Sequence, residues 1–89
     1  MVQISDKIYA KLETYNPSGS IKDRMAHYII TKAIERGELK KGDTIVEATS
    51  GNTGIAMSMI GAAMGFPVII IMPRNMSEER KCQMRIYGA

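Results

Sequence analysis

Lys22 is the residue whose position in this chain most favours a chemical role. It lies in the segment NPSGSIKDR (residues 16–24), where a glycine-containing loop is predicted to pass into a helix. The positive end of a helix macrodipole disfavours a cation in the first turn. The same field favours the free amine, which is the form that attacks an aldehyde to give a Schiff base. The alternative is an ordinary lysine extended into solvent, and position alone favours that alternative.

A second candidate is the loop TSGNTG (residues 49–54), which follows a short apolar strand and opens a predicted helix. Ligands of α/β proteins bind at such loops, outside the carboxyl ends of the strands. Gly51 permits close approach of a ligand to the backbone, and amides at a helix start can face an anion. The same residue types also form ordinary capped turns, and the spacing alone favours that alternative. The side chains and amides available in the loop belong to Thr49, Ser50, Asn52 and Thr53.

The two motifs together resemble the fold-type II enzymes that depend on pyridoxal 5′-phosphate (PLP). Within that class the chain is most similar to the cysteine synthase (O-acetylserine sulfhydrylase) branch, with cystathionine β-synthase beside it. The stretch KKGDTIVEATSGNTGIAMSMIGAAMGFPVIIIMPRNMSEER (residues 40–80) is similar to the family almost without interruption. The resemblance extends from about Lys7 to Ala89.

This resemblance assigns roles to both motifs. Lys22 matches the catalytic lysine that carries PLP as a Schiff base, and Asn52 matches the residue that bonds the 3′ oxygen of the cofactor. The substrate-binding positions, which hold the α-carboxylate of an amino acid, are matched by Thr49, Ser50, Gly51, Asn52 and Thr53. No cluster of histidine, cysteine and carboxylate side chains has the spacing of metal ligands.

The activity implied by the resemblance is β-replacement, in which an O-activated serine reacts with sulfide to form cysteine. Two alternatives remain open at this stage. One is a different PLP lyase, either cystathionine β-synthase-like or a dehydratase of serine or threonine, although YNPSGSIKDR and MSEER favour the cysteine synthase branch. The other is a non-catalytic α/β subdomain.

Members of the family are several times longer than 89 residues and carry a later loop for the cofactor phosphate. Residues 1–89 are therefore expected to form a single partial domain, the N-terminal portion of a PLP-dependent enzyme. We expect the chain alone to lack turnover, and the parent protein to be a homodimer that acts on a small-molecule amino acid.

Composition excludes several other classes of protein. The net charge of +3 is spread along the chain, and there is no Trp and one Phe, which argues against nucleic-acid binding. The single Cys82 cannot form an internal disulfide. The start of the chain lacks the apolar run of a signal peptide, and FPVIIIMP is too short to cross a bilayer. A cytoplasmic protein without membrane contact is expected.

The periodicity of apolar residues predicts an α/β fold of order β-α-β-α-β-α, with mainly parallel strands in a three-layer αβα arrangement. Gly37, Gly65 and Gly88 are placed to end the three helices. The strands are predicted at residues 7–14, 44–48 and 68–72, and the helices at residues 21–36, 53–64 and 78–86.

Overall fold

The computed structural model describes all residues, 1–89, and contains four strands and three α-helices. In chain order these are β1 (Val2–Ser5), β2 (Ile8–Ala10), α1 (Lys22–Glu35), β3 (Ile45–Ala48), α2 (Asn52–Met64), β4 (Val68–Ile71) and α3 (Glu78–Ile86). A single 3-10 turn, Glu13–Tyr15, lies between β2 and α1. None of the helices has the length and apolar character required to cross a membrane.

Strands β3 and β4 form a parallel pair that positions the TSGNTG loop. Their register runs from Ile45 opposite Val68 to Ala48 opposite Ile71, and α2 connects the two strands. Because the strands run in the same direction, both carboxyl ends lie at one edge of the sheet. The loop leaves β3 at that edge, which is where ligands bind in open α/β sheets.

The N-terminal strands form a separate antiparallel hairpin, which corrects part of the prediction. The strand expected at residues 7–14 ends at Ala10, and Glu13 begins the 3-10 turn instead. Strand β1 was not predicted; it pairs with β2, with a register shift between Gln3 and Ser5. All four residues of β1 are exposed. A strand with no buried face does not need alternating apolar and polar residues, which is the pattern that identifies strands in a sequence.

Helix α1 packs against α2 through a small apolar core. Ala26 and Ile30 of α1 meet Ala56 and Met57 of α2, and all four side chains are buried. The predicted bounds of α1 are correct to within one residue at each end. Gly37 follows the helix with a φ of 72°, the left-handed conformation that ends helices.

Helix α2 lies close against the strands because its residues are small. A methyl group added to Gly61 would meet the Val68 side chain, so the helix backbone approaches β4 directly. The α/β class with a parallel strand pair is confirmed. The other face of the pair is open, since Val46, Ile69 and Ile71 are all more than half exposed. Helices α1 and α3 pack against α2, which itself lies on the strands. Residues 1–89 therefore form the sheet layer and one of the two helical layers of the predicted three-layer arrangement.

Candidate functional site

Lys22 is the first residue of α1, within the first helical turn where the sequence predicts it. Ser20 Oγ accepts a hydrogen bond of 3.2 Å from the Lys22 amide, so this serine caps the helix although the assigned boundary residue is Ile21. Lys22 is half-buried. Its ammonium takes part in none of the hydrogen bonds or ion pairs of the chain. The amine is therefore available to react.

The residues around Lys22 hold the loop that precedes α1. The Asp23 carboxylate is buried and accepts hydrogen bonds from Ser18, at 2.9 Å from the amide and also from the hydroxyl. Asn16 Nδ2 donates to the Ser20 carbonyl at 2.9 Å. Both oxygens of the Asp23 carboxylate are therefore bonded to the loop, which indicates a structural rather than a catalytic role.

Arg24 ties the same region to the 3-10 turn. Its Nε lies 3.0 Å from the Glu13 carboxylate. The hydrogen bond from Arg24, with a second from Asn16, lowers the pKa of Glu13 below its ordinary value of 4.5. Lys22 is therefore followed by two anchored residues of its own helix: Asp23 holds the preceding loop, and Arg24 ties the helix to Glu13.

Thr49 organises the TSGNTG loop from within. Its amide donates to the Ile71 carbonyl at 3.0 Å, which attaches the start of the loop to β4. Its Oγ1 accepts hydrogen bonds of 3.3 Å from the amides of Gly51 and Gly54. The Thr49 hydroxyl proton remains free to donate to a ligand.

The amides of Asn52 and Thr53 have no acceptor within the chain. They are the first amides of α2, where helix geometry leaves N–H groups unpaired and the macrodipole favours a negative charge. Asn52 is exposed and Thr53 is half-buried, so a solute can reach both. This geometry suits an anion such as a carboxylate.

Arg80, on α3, contacts the same loop, and its sequence position predicts no role for it. Its Nη1 donates to the Ser50 carbonyl at 3.0 Å. A methyl group added to Gly51 would lie 2.7 Å from Nη1, so the guanidinium covers the glycine. No sequence signal identified this contact, because the two residues are far apart in the chain.

The two motifs each begin a helix, but no hydrogen bond joins Lys22 to the TSGNTG loop. The surface has four shallow depressions of about 220–290 Å³. None of them is lined by Lys22 or by residues 49–54. In residues 1–89 the candidate site is therefore an open surface and not an enclosed pocket.

Comparison with known proteins defines the class. The family model described as pyridoxal-phosphate dependent enzyme matches residues 2–89. The chain belongs to this family, whose cofactor is PLP. An unpaired lysine at the start of α1 and free amides at the start of α2 fit such a cofactor with an anionic substrate beside it.

The relatives place the chain in the fold-type II class of PLP-dependent enzymes. Cysteine synthase B of Salmonella typhimurium is 55% identical over 83 residues, which are 93% of this chain and 27% of the relative. A hydrogen sulfide-producing enzyme of Fusobacterium nucleatum is 63% identical, with a TM-score of 0.86 over 92% of this chain and 25% of that one.

An O-acetylserine dependent cystathionine β-synthase of Helicobacter pylori is 41% identical, with a TM-score of 0.85 over 91% of this chain and 26% of that one. The chain therefore spans about a quarter of the length of these three relatives. The high similarity covers both motifs, whereas most of each relative lies outside the comparison.

Proposed function

We propose that the protein acts in PLP-dependent β-replacement, in which an O-activated serine such as O-acetylserine reacts with sulfide to form cysteine. The observation that carries this proposal is the combination of an unpaired Lys22 ammonium with the acceptor-free amides of Asn52 and Thr53. The names of the cysteine synthase relatives support the substrate class.

In this proposal the start of α1 binds the cofactor, and the start of α2 binds the substrate. Lys22 would hold the cofactor and, once its amine is released, take the proton from Cα of the substrate at Nζ. The amides of Asn52 and Thr53, with the hydroxyls of Thr49 and Ser50, would bind the α-carboxylate. That contact would orient the Cα–H bond toward Lys22.

Bound PLP supplies an electron sink for the charge left on Cα. The Asn52 side chain would donate to the 3′ oxygen of the cofactor, and the absence of a side chain at Gly51 leaves room for the Arg80 guanidinium against the loop. These assignments rest on the match between the two motifs and the family, together with the open hydrogen-bonding capacity of the loop.

Borohydride reduction tests the role of Lys22 directly. The protein is mixed with PLP and reduced, and the pyridoxyl group is located by mass spectrometry of peptides. We expect one labelled site, Lys22, because this residue is half-buried and its amine is unpaired at the start of α1, at the position that matches the catalytic lysine of the family. An absorption band of the bound cofactor should accompany the label.

Two variants control the labelling experiment. Lys22→Ala should remove the label and the absorption band, whereas Lys32→Ala should retain both, because Lys32 lies on the same helix in an exposed pair with Glu35. Labelling spread evenly over many lysines in the parent protein would refute the proposal.

A second candidate reaction is release of hydrogen sulfide from cysteine. The 63% identity to a hydrogen sulfide-producing enzyme favours it specifically. The two reactions are separated by offering the PLP-loaded parent protein either O-acetylserine with sulfide, or cysteine alone, and measuring cysteine and sulfide. Turnover of cysteine alone, without cysteine synthesis, would favour the second candidate.

A homodimeric, cytoplasmic enzyme is part of the same proposal and rests on the family resemblance. We further propose that residues 1–89 serve as a partial domain of the active unit, since the matched relatives are about four times longer. Mass measurement of the PLP-loaded protein at several concentrations tests the dimer.

A further inference from the structure

Helix α3 contacts the TSGNTG loop at two points. Arg80 lies over Gly51 and donates to the Ser50 carbonyl at 3.0 Å. One turn further along α3, the buried Met84 side chain lies against Gly54, where an added methyl group would come within 2.8 Å of its Cε. The helix therefore holds both the middle and the end of the loop.

The Arg80 backbone is itself held in place by the helix cap. Ser77 Oγ accepts a hydrogen bond of 3.3 Å from the Arg80 amide, which fixes the first turn of α3. Arg80 is half-buried as a residue, and its guanidinium ends on the Ser50 carbonyl. A long side chain that starts from a capped turn and ends on a carbonyl retains little freedom.

The hydrogen bond from Arg80 orients the peptide group between Ser50 and Gly51. A trans peptide directs its C=O and its N–H to opposite sides. Here the C=O faces Arg80 and the N–H faces Thr49 Oγ1. Both ends of this peptide are thus restrained, and the next amides along the chain are those of Asn52 and Thr53.

We propose that Arg80 is a positioning residue for the substrate carboxylate. By holding the Ser50–Gly51 peptide, it keeps the free amides of Asn52 and Thr53 directed at one point. This inference deepens the proposed function and rests on it for the identity of the anion. Arg80 acts through the loop and makes no hydrogen bond with Lys22.

Amide hydrogen exchange tests the positioning role without any cofactor. In Arg80→Gln we expect the Gly54 amide to exchange several-fold faster, because the loop around Thr49 loses its restraint. Arg80→Lys should restore protection in part, since one donor remains but the planar group is lost. Arg85→Gln makes the same change of charge on the same helix, away from the loop, and should have no effect.

Binding and kinetics test the consequence for the substrate. In the PLP-loaded parent protein, Arg80→Gln should raise KM for O-acetylserine, and the dissociation constant of L-alanine, by about tenfold, as expected for loss of one charge-assisted hydrogen bond. The fold-change in kcat should be several times smaller than the fold-change in KM. Lys22 should still be labelled after borohydride reduction.

These measurements separate the inference from the proposed function. Unchanged exchange at Gly54 in a folded Arg80→Gln protein overturns the positioning role, whatever the activity. A fall in kcat with KM unchanged also overturns it. If the wild-type protein is not labelled at Lys22, the proposed function fails. Faster exchange at Gly54 in Arg80→Gln would then still support the restraint of the loop by α3.

Discussion

At the start of α1, adjacent residues have different roles. Asp23 is buried and bonded to Ser18, whereas the neighbouring Lys22 ammonium has no partner. The sequence motif alone leaves the alternative of a solvent-extended lysine open. The structure adds that the loop around Lys22 is restrained by Asn16, Asp23 and Arg24, so that the amine is presented from a defined position.

Glu13 provides a test of this restraint by pH. Hydrogen bonds from Arg24 and Asn16 lower the pKa of Glu13 in the folded protein below 4.5. A carboxyl group with a lowered folded pKa stabilises the fold fully above its unfolded pKa, and that contribution is lost as the pH falls through the folded value. Stability from this group should therefore be present at neutral pH and decline in acid below pH 4.5.

The measurement is urea unfolding of the wild type and of Glu13→Gln across the pH range. The difference in unfolding free energy between the two should be constant near neutral pH and shrink in acid. A difference that grows as the pH falls would contradict the assigned direction. Glu35→Gln is the matched control, since its carboxylate pairs with Lys32 of the same helix and ties α1 to no other element through this ion pair.

At the scale of elements, small residues set the distance between α2 and its neighbours. Gly61 brings the helix against Val68, and Gly54 brings it against Thr49 and Met84. The Ala-, Gly- and Met-rich composition of this helix predicts close packing in general. Which glycine faces which neighbour depends on the rotation of the helix on the sheet, and this only the folded structure defines.

Gly61→Ala should destabilise the protein despite the better helix propensity of alanine. The propensity gain is about 1 kcal/mol, whereas overpacking a filled contact costs about 1–3 kcal/mol. We expect a net loss of about 1 kcal/mol in chemical denaturation, from the same two terms. Adding Val68→Ala should make Gly61→Ala less costly than it is alone. A stabilising Gly61→Ala would show that helix and strand are not in close contact.

At the scale of the whole molecule, the sheet has one covered and one open face. Residues Val46, Ile69 and Ile71 are exposed by 56%, 53% and 60%. An all-apolar strand such as β4 is typical of a sheet covered on both faces. The sequence indicates this burial, yet within residues 1–89 only α2 packs against the strands.

We therefore expect the 89-residue chain to self-associate as its concentration rises. Sedimentation velocity at several concentrations should show larger species. Ile69→Thr with Ile71→Thr should reduce them, because polar groups replace the apolar face while β-branching is kept. Ile86→Thr makes a similar change at an exposed position on α3 and should have little effect. A monomer at all concentrations would contradict the prediction.

The sequence by itself determined the order and bounds of α1, α2, β3, β4 and α3 to within about one residue. It also located both motifs at helix starts. These features are local: helix periodicity, a glycine in the left-handed conformation after each helix, and capping serines act over a few residues. The similarity of the two motifs to the family is likewise a property of the chain alone.

Only the tertiary structure decided the N-terminal hairpin, the open sheet face and the contact of Arg80 with Ser50. Each depends on residues that meet through folding, and a sequence pattern carries no record of which partner an exposed strand or a long side chain will reach. Arginine is a residue type usually found at protein surfaces. The path of the chain from β4 into α3 brings Arg80 onto the TSGNTG loop, which the sequence had already identified as a candidate site.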